Sequence, residues 1–205
     1  LPAGIQPQEA ALLLSLRHPA IPAVLDVGRL PDGRAYVVRE HVEATPLEVL
    51  PRDPSQLRQL LQQLLEVLAY VHLRGVLHLD LKPANLLLDE SGRLHLLDFG
   101  LSARRGAAGG GGTPFFAAPE VLLGAPPDAR ADLFAVGAMA VQALHPAGRV
   151  PLPHFVALFP THDFFAAADL RRDDLPPPFH EFVPRCVARR PQRRFEDAQA
   201  ALEFL

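Results

Sequence analysis

The sequence predicts an α+β chain in two parts, a small strand-bearing region followed by a mainly helical body, with a cleft where the two meet. Three observations carry this. Short β-type runs fall before Gly100, at Ala23 to Gly28, Ala35 to Glu40, Asn85 to Leu88 and Leu94 to Leu97. A long amphipathic helix and then helical patterns after Ala129 supply the body. Between them, "VLHLDLKPANLLLDESGRLHLLDFG" sets Asp80, Lys82, Asn85 and Asp98 among leucines and valines that should be core. Unpaired charge is costly to bury, so such residues need a partner, a metal or a reaction to serve.

The elements follow in order. Gln8 to Leu16 is rich in helix formers and stops at "RHP", where Pro19 disfavours helix in the residue before it. "LPDGR" supplies turn chemistry between the first two strands and makes them a hairpin. From Ser55 to Arg74 the apolar positions Leu57, Leu60, Leu61, Leu64, Leu65, Leu68 and Val71 line one helical face, with Ser55 as the expected N-cap and Gly75 as the stop. "DESGR" turns the chain between the last two strands, and "RGAAGGGG" reads as a loop.

Composition bounds the class. With 205 residues, 49% apolar and 21% charged, the chain can bury a substantial core in one or two units. A formal charge of -3 gives no basic field for nucleic acid. The early apolar run Ala10 to Leu14 is too short to span a membrane. Cys186 is the single cysteine, so no intramolecular disulfide can form, and a reducing, cytoplasmic setting is expected. The first residue is Leu1 and not methionine, so the chain is expected to belong to something longer.

"HLDLKPAN", "DFG", "GTPFFAAPE", "ARADLFAVG" and "RCVARRPQRRF" occur in the order and spacing of a eukaryotic-type protein kinase, and together they resemble the serine/threonine branch found also in bacteria. The resemblance implies a two-lobed kinase-like fold. Residues 1–43 would be part of the small lobe up to the hinge, and 44–205 the helical lobe with the catalytic loop, activation segment and substrate platform. It implies transfer of the γ-phosphoryl group of ATP, with Mg2+, to a protein substrate. Asp80 would orient the substrate hydroxyl, Lys82 would sit beside the transferred phosphate, and Asn85 and Asp98 would offer oxygens to magnesium. Glu9 matches the helix glutamate that pairs with a strand lysine. Backbone groups near Glu40 and Val42 match the adenine-binding hinge, with Leu87 as the floor beneath the base. His72 and His78 are expected to be packing residues of the core and loop. Glu120 would pair with Arg194, and Asp132 would accept backbone N–H bonds from the catalytic loop.

The pattern also departs from the family. No glycine-rich loop and no strand lysine precede Glu9, so the chain as given is expected to bind ATP poorly. Leu79 stands where the family has an arginine that reads a phosphate on the activation segment, so switching by that phosphate is not expected, although Ser102 and Thr113 could be modified. Arg39 occupies the usually apolar gatekeeper position and needs an acid or an exit to solvent; Ala44 replaces a hinge glycine. The alternative from another class is a pseudokinase, a scaffold that keeps the fold and signals by contact. A small-molecule phosphotransferase of similar fold fits less well, because "GTPFFAAPE" and the Glu120–Arg194 pair resemble protein-substrate enzymes.

Overall fold

The computed structural model describes residues 14–97, 115–147, 150 and 163–205. Leu14 and Ser15 are helical and the helix stops ahead of Pro19; the earlier residues of the first predicted helix lie outside the described residues. Strands β1 (Val24–Arg29) and β2 (Ala35–Arg39) form an antiparallel hairpin, with Val27 opposite Val37. Its turn needs Gly33 at φ 83°, a conformation open to glycine, and closes through Leu30 N–H to Arg34 O at 2.8 Å.

Strand β3 (Ala44–Pro46) follows, and helix α1 (Pro54–His72) begins the body. The N-cap is Asp53, not Ser55. Its carboxylate accepts from the Ser55 and Gln56 N–H groups at 3.1 and 3.0 Å, and Pro54 at the first helical position has no N–H to satisfy. Ser55 supports that cap by donating its hydroxyl to Asp53 at 2.6 Å. All seven predicted apolar positions of α1 are buried, Val67 joins them, and Gly75 turns the chain out at φ 72°.

A short 3-10 turn at Pro83–Asn85 leads into β4 (Leu86–Asp89) and β5 (Leu94–Leu96), which with β3 make an antiparallel sheet in the order β3-β4-β5. Leu86, Leu94 and Leu96 join the core. Leu87 and His95 are cross-strand partners, so they share the opposite face. Asp89 organises the turn between these strands by accepting from Ser91 and Arg93, and Gln63 of α1 bonds Leu94 N–H at 2.9 Å.

The rest of the described chain is helical: α2 (Pro119–Leu122), α3 (Arg130–Leu144), α4 (Phe164–Ala168), α5 (Phe179–Cys186) and α6 (Ala198–Phe204). Twelve of the fifteen residues of α3 are buried, so it is the central post and not an amphipathic surface helix. Gly137 lets α5 lie close against it: a Cβ there would come within 2.5 Å of Cys186 Cβ and 2.8 Å of Val187 Cγ1.

Two bonds fasten the segment ahead of the hairpin to this body. Arg17 N–H donates to the Tyr70 hydroxyl of α1 at 2.8 Å, and Leu96 N–H of β5 donates to Ala20 O at 2.8 Å. None of the described helices is long and apolar enough to cross a membrane.

Candidate active site

The loop from His78 to Asn85 joins α1 to β4 and is fixed from beneath by one carboxylate. Asp132, in the first turn of α3 and 1% exposed, accepts from His78 N–H at 2.9 Å, from Leu79 N–H at 2.8 Å and pairs with His72 Nε2 at 2.8 Å. Burial pushes the Asp132 carboxyl up. The hydrogen bond and charge of His72, with the His78 backbone N–H, outweigh it and hold the carboxyl below its ordinary range. Asp132 therefore does what the sequence led us to expect, and His72 does more: it is the third group on that carboxylate, reached across 60 residues of sequence. Its only sequence signal is its place at the end of the buried stripe of α1.

Held this way, the loop carries Leu79 at φ 59°. A branched side chain in the left-handed region costs on the order of 1–2 kcal/mol, and the two N–H bonds to Asp132 offset it. His78 is fully buried. It accepts from Asp80 N–H at Nδ1 (3.3 Å), which leaves Nε2 to donate to Leu97 O at 2.7 Å. Leu97 N–H in turn donates to Asn85 O at 2.9 Å. The residue that precedes Asp98 in sequence is thus tied to the loop by both its N–H and its carbonyl.

Above this base, three of the predicted residues come together. Lys82 Nζ lies 2.7 Å from Asp80 Oδ2, and both side chains are about one-third exposed, at 28% and 33%. Asn85 is buried, and its Nδ2 donates to Asp80 O at 2.8 Å and lies 3.4 Å from Asp80 Oδ2. That contact orients the amide, leaving Asn85 Oδ1 without a protein donor among the described residues. An amide oxygen beside a carboxylate and an ammonium suits a hard cation and a phosphate, so the residues present fit the magnesium and nucleotide that the fold implies. Glu9, Asp98, Ser102, Gly112 and Thr113 lie outside the described residues.

At the expected hinge, the Glu40 N–H is taken by Ala23 O at 2.8 Å, leaving its carbonyl, and Val42 makes no backbone hydrogen bond among the described residues. Leu87 is 8% exposed yet lies outside the main core cluster, on the sheet face opposite Leu86. Arg39 has the exit it needs, since its side chain is exposed. In the helical body, Arg194 meets Glu120 through two parallel bonds of 2.7 and 2.8 Å and also donates to Ala188 O and Arg130 O.

A model of the protein kinase domain matches residues 5–203. The chain is 38% identical over 160 residues to the serine/threonine-protein kinase pkn2 of Myxococcus xanthus, which is 70% of this chain and 19% of that protein. It is 36% identical over 190 residues to the serine/threonine-protein kinase PknK of Mycobacterium tuberculosis, 86% of this chain and 17% of that one. Against PknL of the same species it is 32% identical over 209 residues, 94% of this chain and 51% of that protein. The chain belongs to the protein kinase domain family, and the pkn2 and PknK relatives are bacterial serine/threonine-protein kinases. It spans less than one-fifth of the length of the first two, at 19% and 17%. Protein kinase domains use ATP and, typically, Mg2+, and these relatives do not favour the scaffold alternative.

Proposed function

We propose that this domain serves a protein whose activity is phosphorylation of serine or threonine on a protein substrate. The observation that carries the reading is the convergence of Asp80, Lys82 and Asn85 on one loop held by Asp132. Asp80 is the group that orients the substrate hydroxyl and takes its proton as the oxygen attacks the γ-phosphorus and the bond to ADP breaks. General-base help of this kind is worth about 10²- to 10⁴-fold. Lys82 holds a compact positive charge next to that carboxylate and balances phosphate charge as it moves. Asn85 Oδ1, with Asp98, is the oxygen set for magnesium, and Glu9 serves the phosphates through the lysine it would pair with. When bound, Mg2+ supplies neutralisation of phosphate charge. The Glu40 carbonyl and Val42 N–H hold the adenine edge, and Leu87 closes the site beneath the ring.

The test is phosphate incorporation by the full-length protein with ATP and Mg2+, beside Asp80→Asn and Asp98→Ala. Both variants should lose at least about 10²-fold. Labelling equal to the parent in both would overturn the assignment. A parent that binds no nucleotide would leave the scaffold reading in its place.

A further inference from the structure

Gln63, half-buried in the middle of α1, spans the turn between β4 and β5 with one side chain. Its Oε1 accepts from Leu94 N–H at 2.9 Å, and its Nε2 donates to Gly92 O at 3.2 Å. Only this orientation of the amide serves both partners, since the reverse would set donor against donor and acceptor against acceptor. Gln63 lies outside the candidate active site, yet it closes a ring of contacts that runs beneath it.

The ring can be followed bond by bond. From Leu94, β5 leads to Leu97, a span of about 10 Å. Leu97 O accepts from the His78 ring at 2.7 Å. His78 N–H donates to Asp132 Oδ2 at 2.9 Å, and the same oxygen meets His72 Nε2 at 2.8 Å. His72 and Gln63 share α1, about 13 Å apart along its axis. Two of the predicted site residues hang from this ring: Asp80 N–H donates to His78 Nδ1 at 3.3 Å, and Asn85 O accepts from Leu97 N–H at 2.9 Å. The buried Leu94 and Leu96 also hold β5 to the core, but apolar contact is non-directional and sets no register along α1. The Leu96 bond to Ala20 O ties β5 to a different segment. Directed bonds at both ends of β5 fix its place against α1 and the loop.

We propose that Gln63 is a positioning residue for phosphoryl transfer: by fixing β5 on α1, it sets where Asn85 stands relative to Asp80. Asn85 Nδ2 meets Asp80 O at 2.8 Å, so a slide of β5 pulls the Asn85 backbone against that bond and reorients its amide oxygen. The role of that oxygen toward magnesium is the one proposed above, and the effect on the reaction rests on that reading. Misplacing a reacting group by about 1 Å can cost about 10²-fold. Gln63 acts at one remove, and a smaller effect is expected.

The test uses the full-length protein and three variants. Gln63→Leu removes both bonds at similar volume, Gln63→Glu keeps the acceptor for Leu94 N–H, and Asp53→Ala weakens the cap of α1 but leaves the ring closed. The first readout is amide hydrogen exchange without nucleotide or metal. Exchange of Leu97 N–H should quicken about three- to tenfold in Gln63→Leu relative to Asp53→Ala, with Gln63→Glu between them. The second is the Mg2+ concentration that gives half-maximal phosphorylation, which should rise about three- to fivefold in Gln63→Leu and keep the parent value in Asp53→Ala. Leu97 exchange no faster than in Asp53→Ala, or faster exchange with an unmoved Mg2+ midpoint, would overturn the assignment. If Gln63→Leu folds poorly, the same comparison between Gln63→Glu and Asp53→Ala decides. A parent without phosphotransfer would defeat the proposed function alone, and the exchange of Leu97 N–H would then decide whether Gln63 holds the ring.

Discussion

The helical body and the hairpin above it are built on opposite terms. In α3 twelve of fifteen residues are buried, and the polar groups it buries are all engaged. In the hairpin, Leu25 and Val38 are 63% and 43% exposed, and its turn is held by backbone and surface polar contacts. The proposed site residues Asp80, Lys82 and Asn85 hang from the first region, whereas Glu40 and Val42, the proposed hinge, continue from the second. Buried support is therefore given to the proposed reacting groups, and a more exposed frame to the part that would meet the base. Substitutions should show this as a steep difference in stability.

The largest effect is expected at Arg194. Its side chain is fully buried against a Glu120 that is 13% exposed, so Arg194→Met leaves a carboxylate without its partner and should cost about 3–5 kcal/mol in urea unfolding. A loss below roughly 1 kcal/mol would mean that Glu120 reaches water easily and that the body is softer than the burial suggests.

Next comes Asp132→Ala, which strands the His78 and Leu79 N–H groups and should cost about 2–4 kcal/mol, with activity falling further than stability. Its pH dependence has a definite sign. The folded carboxyl is held below its unfolded value of about 3.9, so its contribution is complete above that value and lost as pH falls through the lowered one. An Asp132→Asn variant should lack that part of the acid-unfolding slope; matching acid limbs for variant and parent would show that the pair does not couple to folding.

How much of this was legible follows the same division. Helix α1 could be read from Leu57 to Val71 because only one face is buried, and burial imprints a period on the sequence. The loop residues were legible as polar groups stranded in an apolar run. Strand β3 was not: Ala44–Pro46 is short, ends in proline and exists because it pairs with Leu87–Asp89, far along the chain. The left-handed backbone of Leu79 was equally hidden, since leucine has no local preference for it and the cause is a carboxylate 53 residues away. His72 was read only as a packing residue for the same reason, its bond to Asp132 being set by the fold. Ser55 was mistaken for the cap because hydroxyl and carboxylate both suit that role, and only the geometry shows Asp53 receiving both backbone bonds.

A third test sharpens the packing side. Gly137→Ala gains about 0.5–1 kcal/mol of helix propensity. It also forces Cys186 and Val187 outward, and overpacking of this kind costs about 1–3 kcal/mol, so the net change should be destabilising. A more stable variant would mean that α5 slides without strain. In the hairpin, by contrast, Leu25→Thr places a β-branched residue on an exposed strand and should stay within about 0.5 kcal/mol of the parent.

The smallest effect lies at the junction of the two regions. The His18 ring lies tilted against Tyr70, centroids 4.9 Å apart, and accepts Ala20 N–H at 3.1 Å, so it sits where the segment 16–23 meets α1. Burial lowers its affinity for a proton; Glu66 pulls it back up and Arg74 lowers it again, with a net fall. The unfolded state then binds the proton more readily, so stability declines as pH drops below about 6.5. His18→Asn keeps an acceptor for the Ala20 N–H without a titrating ring. The urea midpoint of the parent should fall slightly between pH 7.5 and 5.5, and the variant should lack that part of the fall. If the two slopes coincide, the junction is open to water and the hairpin is attached by Arg17 to Tyr70 and Leu96 to Ala20 alone.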